Sequence, residues 1–392
     1  MQKQLLNELN LLEDEMIHIR RYLHQYPELS FHEEKTPQYI ADYHRNLGHE
    51  VRTNVGGRGV VAKLRGAKPG KTVAIRADFD ALPVQEDNDV PYASKVPGVM
   101  HACGHDGHTA IALGLAKSLN RMQKEMKGTV VFIHQHAEEI VPGGAKSMIE
   151  DGCLDGVDCI YGAHLWAPFP LGEIHINGGN IMAATDKFEI EITAKGGHAG
   201  VPHEATDLIV LASQLVVTLQ SIVSRRINPF EPVVLSVGSF HAGTSFNILP
   251  DKVKIIGTVR CFSDAVRKKV DAELKKIINA LCEMAGAGYT FGYEYGYPAV
   301  VNHPEEAARI EHVSKNVPDV SKIITMQPMM IGEDFAYYLK EVPGAYFLIG
   351  AKDPANENAF PHHHPKFTFD ERVLRIASSV LGCVALESLY SG

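Results

Sequence analysis

The sequence predicts an α/β fold, a mostly parallel mixed sheet interrupted by a smaller βαββαβ-like domain. Three observations point to it. Apolar runs of strand length alternate with helix-period segments up to about Ala183, the pattern of strands joined by crossover helices. From there KFEIEITAKGGHAG alternates apolar and polar residues, as a half-exposed antiparallel strand does. The first texture resumes near Asn302. These changes divide the chain into a discontinuous domain, 1–183 with 297–392, and an inserted domain, 184–296.

The N-terminal segment reads as one amphipathic helix through Leu5, Leu9, Leu12, Met16 and Ile19. GVVAKLRG and KTVAIRADFDALP then read as strands, the second running into an acidic loop with Asp78 and Asp80. HTAIALGLAKSLNRM follows as a helix whose small residues permit close packing on a sheet. GTVVFIHQHAEE is a buried strand with a polar end, GAKSMIEDGCL a helix, and DCIYGAHLW a strand with His164 near its end. In the inserted domain, helices at Asp207 to Arg225 and Ala265 to Ala285 separate the strands VVLSVGSFHAG, KVKIIGTVRCF and GYTFGYEYGYPAV. GEDFAYYL and the strand AYFLIG belong to the resumed first domain.

Bulk properties exclude several classes. A net charge of −9 argues against nucleic acid and against an anionic membrane surface as partners. The N-terminal segment has no apolar signal core, and no apolar run reaches the roughly 18–20 residues that span a bilayer. Six cysteines without a spacing framework suit a reducing, cytoplasmic setting.

The chemistry concentrates in HACGHDGH, where Cys103, His105, Asp106 and His108 crowd a helix start. Thiolate and imidazole two residues apart can face one point, a donor pair that zinc and similar ions favour. A buried cysteine beside a satisfied histidine is the competing reading; Gly104 and the helix start weigh against it. Glu138 and Glu139 follow an apolar strand. Neighbouring side chains on extended backbone diverge, so one carboxylate can bind metal while the other faces an attacking water, the two tasks of metal-assisted hydrolysis. His164 and His363, the latter within PHHHP, are distal ligand candidates. One thiolate, at least one carboxylate and three imidazoles exceed the needs of one tetrahedral ion and suit two ions sharing a bridge. Arg260 offers a fork that matches a substrate carboxylate, against the reading of an ordinary exposed arginine.

The motifs RADFDALP, HACGHDGH, HAEE, KGGHAGVPH, FNILPD, GEDFA and HHPKFTFDE run in this order over nearly the whole chain. Together they resemble the aminoacylase-like dinuclear metalloamidohydrolases, a family that includes hippurate hydrolases, auxin-conjugate hydrolases and N-acetyl-diaminopimelate deacetylases. The resemblance implies a zinc-exopeptidase-like catalytic domain and makes the inserted domain, 184–296, a lid that also dimerises. It also implies Cys103, His105, Glu139, His164 and His363 as ligands of two divalent ions, and Glu138 as general base. Asp80 corresponds to the carboxylate that orients a ligating histidine. Asp78 stands where the wider superfamily has a histidine, and the cysteine-glycine-histidine motif replaces that ligand arrangement. By the same resemblance, His198 reaches the active site of a partner subunit and stabilises the oxyanion, Asn247 meets the substrate, and the backbone of Gly332 approaches it.

The activity so implied is hydrolysis of an N-acyl amino acid, N-acetyl or N-benzoyl, by a homodimer or higher homo-oligomer. A thiolate ligand suits zinc, cobalt or nickel, and the carboxylate and imidazoles also admit manganese. Three rivals are set beside it: a carboxypeptidase or dipeptidase on the same scaffold, a Cys103 nucleophile activated by histidine, and a metal-dependent binding protein without catalysis. Glu138 disfavours the last, because a binder needs no base.

Overall fold

The computed structural model describes residues 1–354 and 359–391. Contacts within the chain divide it into two units. One comprises Met1–Ile181, Val301–Gln327 and Asp334–Gly392, the other Met182–Val300 and Pro328–Glu333. This division adds 182–183, 297–300 and 328–333 to the segment expected for the inserted domain.

The first unit begins with α1 (Gln2–Leu11), α2 (Glu13–Gln25), α3 (Lys35–Asn46), β1 (Glu50–Val55), β2 (Gly59–Arg65) and β3 (Lys68–Asp78). It continues through α4 (His105–Arg121), β4 (Lys127–Gln135), α5 (Ala145–Glu150), β5 (Cys159–Pro170) and β6 (Glu173–Ile176), with β7 (Asn180–Met182) at the division. The second unit holds β8 (Ala184–Thr193), β9 (Gly197–His198), α6 (Leu208–Ser221), β10 (Val233–Ala242), β11 (Ile248–Leu249), β12 (Lys252–Cys261), α7 (Asp264–Ala285) and β13 (Gly288–Tyr295). After β14 (Val300–Val301) come α8 (Pro304–Ser314), β15 (Lys322–Thr325), α9 (Ala336–Glu341), β16 (Gly344–Lys352) and α10 (Arg372–Tyr390).

The large sheet of the first unit has the order β1-β2-β4-β3-β5-β16-β6-β15. Its centre is parallel: β3 pairs in parallel with β4 and β5, and β16 with β5. The β1–β2, β2–β4 and β6–β16 pairings are antiparallel, which makes the sheet mixed. Val73–Asp78 of β3 and Val130–Gln135 of β4 are buried, as central parallel strands covered on both faces must be. The small residues of α4 have the consequence expected of them. A Cβ at Gly114 would fall 2.5 Å from Met16 Cγ and Sδ, so α2 lies directly on α4 there.

The single N-terminal helix expected from the apolar spacing is two helices. Leu12 (φ −107°, ψ 3°) interrupts the ladder between α1 and α2, yet Leu5, Leu9, Met16 and Ile19 all still enter the core. The strand carrying His164 runs on to Pro170, so His164 sits in mid-strand rather than near its end.

No unbroken apolar run reaches bilayer length, yet two helical stretches are apolar enough on average. The helical stretches Leu208–Arg226 and Arg372–Tyr390 have the length and mean hydropathy, 1.6 and 1.5, to cross a bilayer. In α10 the apolarity is explained by the core, since it packs on α1, α4 and β3.

The second unit is an antiparallel sheet of order β10-β12-β8-β13 packed with α6 and α7. Along β8, Phe188, Ile190 and Ile192 face a core that Leu211, Leu215, Val270 and Leu274 share. Asp207 caps α6 by accepting from the N–H groups of Ile209 and Val210. Ser263 starts α7, and Gly286 (φ +64°) ends it in the left-handed region open to glycine.

Candidate metal centre

The left-handed Gly104 (φ +101°) turns the chain into α4, setting Cys103 before the helix and His105 at its first position. Glu138 and Glu139 follow the carboxyl end of β4, His164 projects from β5, and His363 lies between β16 and α10. Within the first unit these side chains converge. The Cys103 sulfur lies 3.5 Å from His164 Nε2. Glu139 places Oε1 3.8 Å from His105 Nε2 and Oε2 3.4 Å from His363 Nε2. Donor atoms of Cys103, His105 and His164 lie within 4.8 Å of one another, as do those of Cys103, Glu139 and His363. Cys103 and Glu139 each belong to two such sets, so the donors form one continuous cluster.

The tautomers suit metal binding. His105 Nδ1 donates to Asp80, with Oδ1 at 3.1 Å and the backbone oxygen at 3.0 Å, which leaves the Nε2 lone pair facing the cluster. His164 Nδ1 donates to the Leu165 carbonyl at 2.7 Å and leaves its Nε2 toward Cys103. Among the described residues, His105 Nε2 and Glu139 Oε1 are buried without hydrogen-bond partners. Two such orphans side by side would be costly unless a cation occupies the space between them. The thiolate, imidazole and carboxylate donors therefore fit divalent ions of the zinc type.

The electrostatics agree. Burial, then the charges of Glu139 and Glu138, pushes the Cys103 thiol well above its ordinary range. Burial alone would lower His105, but Asp78, Asp80 and Glu139 outweigh it and raise it to about 10. The carboxylate part of both shifts is a negative potential that a bound cation would neutralise.

The histidines divide by their partners. His362 Nε2 donates to the Leu165 carbonyl at 2.9 Å, and its ring stacks on Trp166 with centroids 4.3 Å apart. His364 Nδ1 accepts from the Lys366 N–H. His363, with φ +66° and its N–H bonded to the Ala102 carbonyl, is the member of the triple whose ring reaches Glu139. His108 spends both nitrogens elsewhere: Nδ1 bonds Asp78 at 2.6 Å and Nε2 accepts from the Leu165 N–H. Asp106 leaves the cluster too, accepting from Arg20 Nε and His24 Nδ1.

Glu138 lies within 4.8 Å of His105 and Glu139, and a carboxylate oxygen of Asp334 is as close on another side. Extended backbone does not separate the two glutamates, contrary to expectation. Ala137, two residues past β4, has φ +52°, and the chain bends through Glu138 and Glu139.

In the second unit, Nδ1 of the exposed His198 accepts from the Gly200 N–H at 2.9 Å, so the neutral ring carries its proton on Nε2. His198 and Asn247 come together on the β9–β11 ladder, where the Ala199 N–H meets the Asn247 carbonyl. The Asn247 side-chain oxygen accepts from Ser245. Arg260 is partly buried on β12 and bonds Thr258 and the Val259 carbonyl, so it is not an ordinary exposed arginine. At Gly332 a Cβ would fall 2.3 Å from Thr185 Cγ2, a packing reason for glycine at that position.

Residue type alone does not mark Arg76, Asp334, Ser30 or Glu33 as contributors to the site. Arg76 bonds both Asp78 and Asp334 in the buried floor; these three lie in the motifs RADFDALP and GEDFA, whose order was the available signal. Ser30 and Glu33 also reach the loops of the centre, and nothing in PELSFHEE distinguishes them from surface polar residues.

The model for peptidase family M20/M25/M40 matches residues 74–387. The putative amidohydrolase YhaA of Bacillus subtilis is 52% identical over 98% of both chains. An N-acyl-L-amino acid amidohydrolase of Geobacillus stearothermophilus is 49% identical over 73% of this chain and 77% of its own. Among solved structures, the Bacillus subtilis YXEP protein, described as a dinuclear metal-binding peptidase of the M20 family, superposes with a TM-score of 0.84. Its identity is 35%, covering 97% of this chain and 99% of that one.

Proposed function

Because the chain belongs to peptidase family M20/M25/M40, we propose that it hydrolyses the amide bond of N-acyl amino acids, releasing a carboxylate and a free amino acid. One observation carries the reading: a carboxylate, Glu138, stands beside a convergent donor set with two buried orphan atoms. Cys103, His105, Glu139, His164 and His363 would hold two divalent ions, zinc, manganese, cobalt or nickel. Such ions polarise an acyl carbonyl and acidify water at neutral pH.

The chain's own groups do the rest. Glu138 takes a proton from the attacking water and delivers it to the leaving amine nitrogen as the C–N bond breaks. Asp80 holds His105 in the ligating tautomer. Arg260 pairs with the substrate carboxylate, and Asn247 and the Gly332 backbone contact the substrate. The Nε2–H of His198, supplied by a partner copy, donates to the oxyanion. In this reading 1–183 and 297–392 form the catalytic domain, and 184–296 the lid and dimerisation domain. The exposed apolar residues Val210 and Val217 of α6 and the edge strand β10 support self-association into a homodimer. Six free cysteines support a cytoplasmic setting, and the net charge of −9 disfavours nucleic acid as a partner.

A screen of N-acetyl and N-benzoyl amino acids, before and after chelation and with each metal added back, tests the proposal. Turnover lost on chelation and restored by metal is the expected result. Full activity of the metal-free protein, or an acyl-thioester trapped on Cys103, would overturn it. Release of C-terminal residues from peptides, with N-acyl amino acids untouched, would replace it by the carboxypeptidase reading.

A further inference from the structure

We infer that Glu33, aided by Ser30 of the same loop, is a positioning residue for Glu138; the inference rests on the general-base role proposed above. The backbone N–H groups of the two residues that neighbour Glu138 are each held by a buried carboxyl. On one side the Ala137 N–H donates to Glu33 Oε1 at 2.9 Å. On the other, the Glu139 N–H donates to Asp80 Oδ2 at 3.0 Å, and that oxygen also accepts from the Ser30 hydroxyl at 2.6 Å. Two residues of one loop thus reach both edges of the turn that carries the base and a ligand.

The turn requires such a brace. Ala137 sits at φ +52°, a region that costs a residue bearing a Cβ and persists only where neighbours impose it. The bracing loop is itself fixed. The Ala81 N–H bonds the Glu28 carbonyl at 2.8 Å, and Leu29 bridges Ala81. Arg58 holds the Glu33 carbonyl at 2.5 Å. Beside it lies a cavity of about 640 Å³ whose lining includes Phe31, Glu33, Arg58, His136 and Pro142. That space gives the turn somewhere to go once the Glu33 carboxyl is removed.

The chemistry of Glu33 selects the test. It is wholly buried, and that burial pushes it up to about 7. Its task toward Ala137 needs an acceptor oxygen, not a charge. Glu33→Gln keeps an oxygen of the same reach, whereas Glu33→Ala removes it and leaves the Ala137 N–H unpaired.

The experiment compares wild type, Glu33→Gln, Glu33→Ala and Ser30→Ala, as purified, by steady-state kinetics, metal analysis and amide hydrogen exchange. Glu33→Ala should lower kcat about 10–100-fold with KM and metal content nearly unchanged, the signature of a misplaced base. Exchange at Ala137 and Glu138 should quicken at least about tenfold while 130–135 in β4 stay protected. Glu33→Gln should restore kcat and protection to near wild type. Glu33→Ala with full kcat and slow Ala137 exchange would overturn the inference. So would a Glu33→Gln as impaired as Glu33→Ala. Should Glu33→Ala loosen all of β4, Ser30→Ala decides: faster Glu139 exchange with reduced kcat supports the brace, and a fully active variant overturns it. If wild type hydrolyses no N-acyl amino acid, the functional reading fails, while the exchange data still judge the brace.

Discussion

Exchanging each of the adjacent glutamates for glutamine separates their proposed duties. Glu139 sits between two imidazoles, 3.8 Å from His105 Nε2 and 3.4 Å from His363 Nε2. Glutamine there removes one negative charge from the donor set. At about 4 Å and an effective dielectric of about 20, a unit charge is worth on the order of 4 kcal/mol. Converted to affinity, that is roughly a thousandfold weaker hold on a monovalent cation, and a divalent ion doubles the energy, so the loss is at least that large. Glu139→Gln should therefore emerge from dialysis depleted of metal and inactive. Glu138→Gln removes a proton acceptor and none of the five proposed ligands. Its kcat should fall about 10²–10⁴-fold, a loss of about 2.7–5.4 kcal/mol in transition-state stabilisation, with metal retained. The assay is metal per subunit by atomic emission after exhaustive dialysis, alongside kcat and KM on an N-acetyl amino acid. Equal metal depletion in the two variants, or a Glu138→Gln enzyme within about tenfold of wild-type kcat, would refute the division of roles.

Further expectations follow from the same geometry. Cys103→Ser should lower metal occupancy, since a neutral hydroxyl replaces a thiolate. The cobalt-substituted variant should also lack the sulfur-to-metal absorption band, and a retained band would contradict ligation by sulfur. His44, His49 and His134 form a buried chain with ring nitrogens 2.9 Å apart at each link. Burial lowers all three, His134 to about 3. Below pH 6.5 the unfolded chain takes up protons that the folded one excludes. Stability should then fall with pH by up to about 1.4 kcal/mol per unit for each imidazole, and equal urea stability at pH 7 and 5.5 would exclude this. Gly332→Ala drives a Cβ to 2.3 Å from Thr185 Cγ2 and should cost about 1–3 kcal/mol of stability, so an unshifted melting point would show the contact yields freely. His198→Ala and Glu138→Ala homodimers should each be nearly inactive, while mixed dimers should regain up to about half of one native dimer's activity if an oxyanion donor is worth 10²–10³-fold. Mixed dimers that form and stay silent would argue that His198 serves its own chain.

Local pattern already determined much of this protein. Strand runs such as Val130–Ile133, the alternation along β8 and the small residues of α4 specify their elements, because burial and period act over a few residues. The order of RADFDALP, HACGHDGH, HAEE and HHPKFTFDE named the donor types, since thiolate, imidazole and carboxylate chemistry belongs to the residues themselves. Tertiary structure decided which atoms are left over. Three histidines in a row are equivalent until the Leu165 carbonyl takes His362 and the Lys366 N–H takes His364, leaving His363 beside Glu139. His108 looks like a ligand until Asp78 and the Leu165 N–H occupy both of its nitrogens. Ser30 and Glu33 carry no local mark, because their partners Asp80 and Ala137 lie 50 and 104 positions away. A side chain's function depends on its unspent hydrogen-bonding capacity, and only the folded chain fixes which partners have already claimed it.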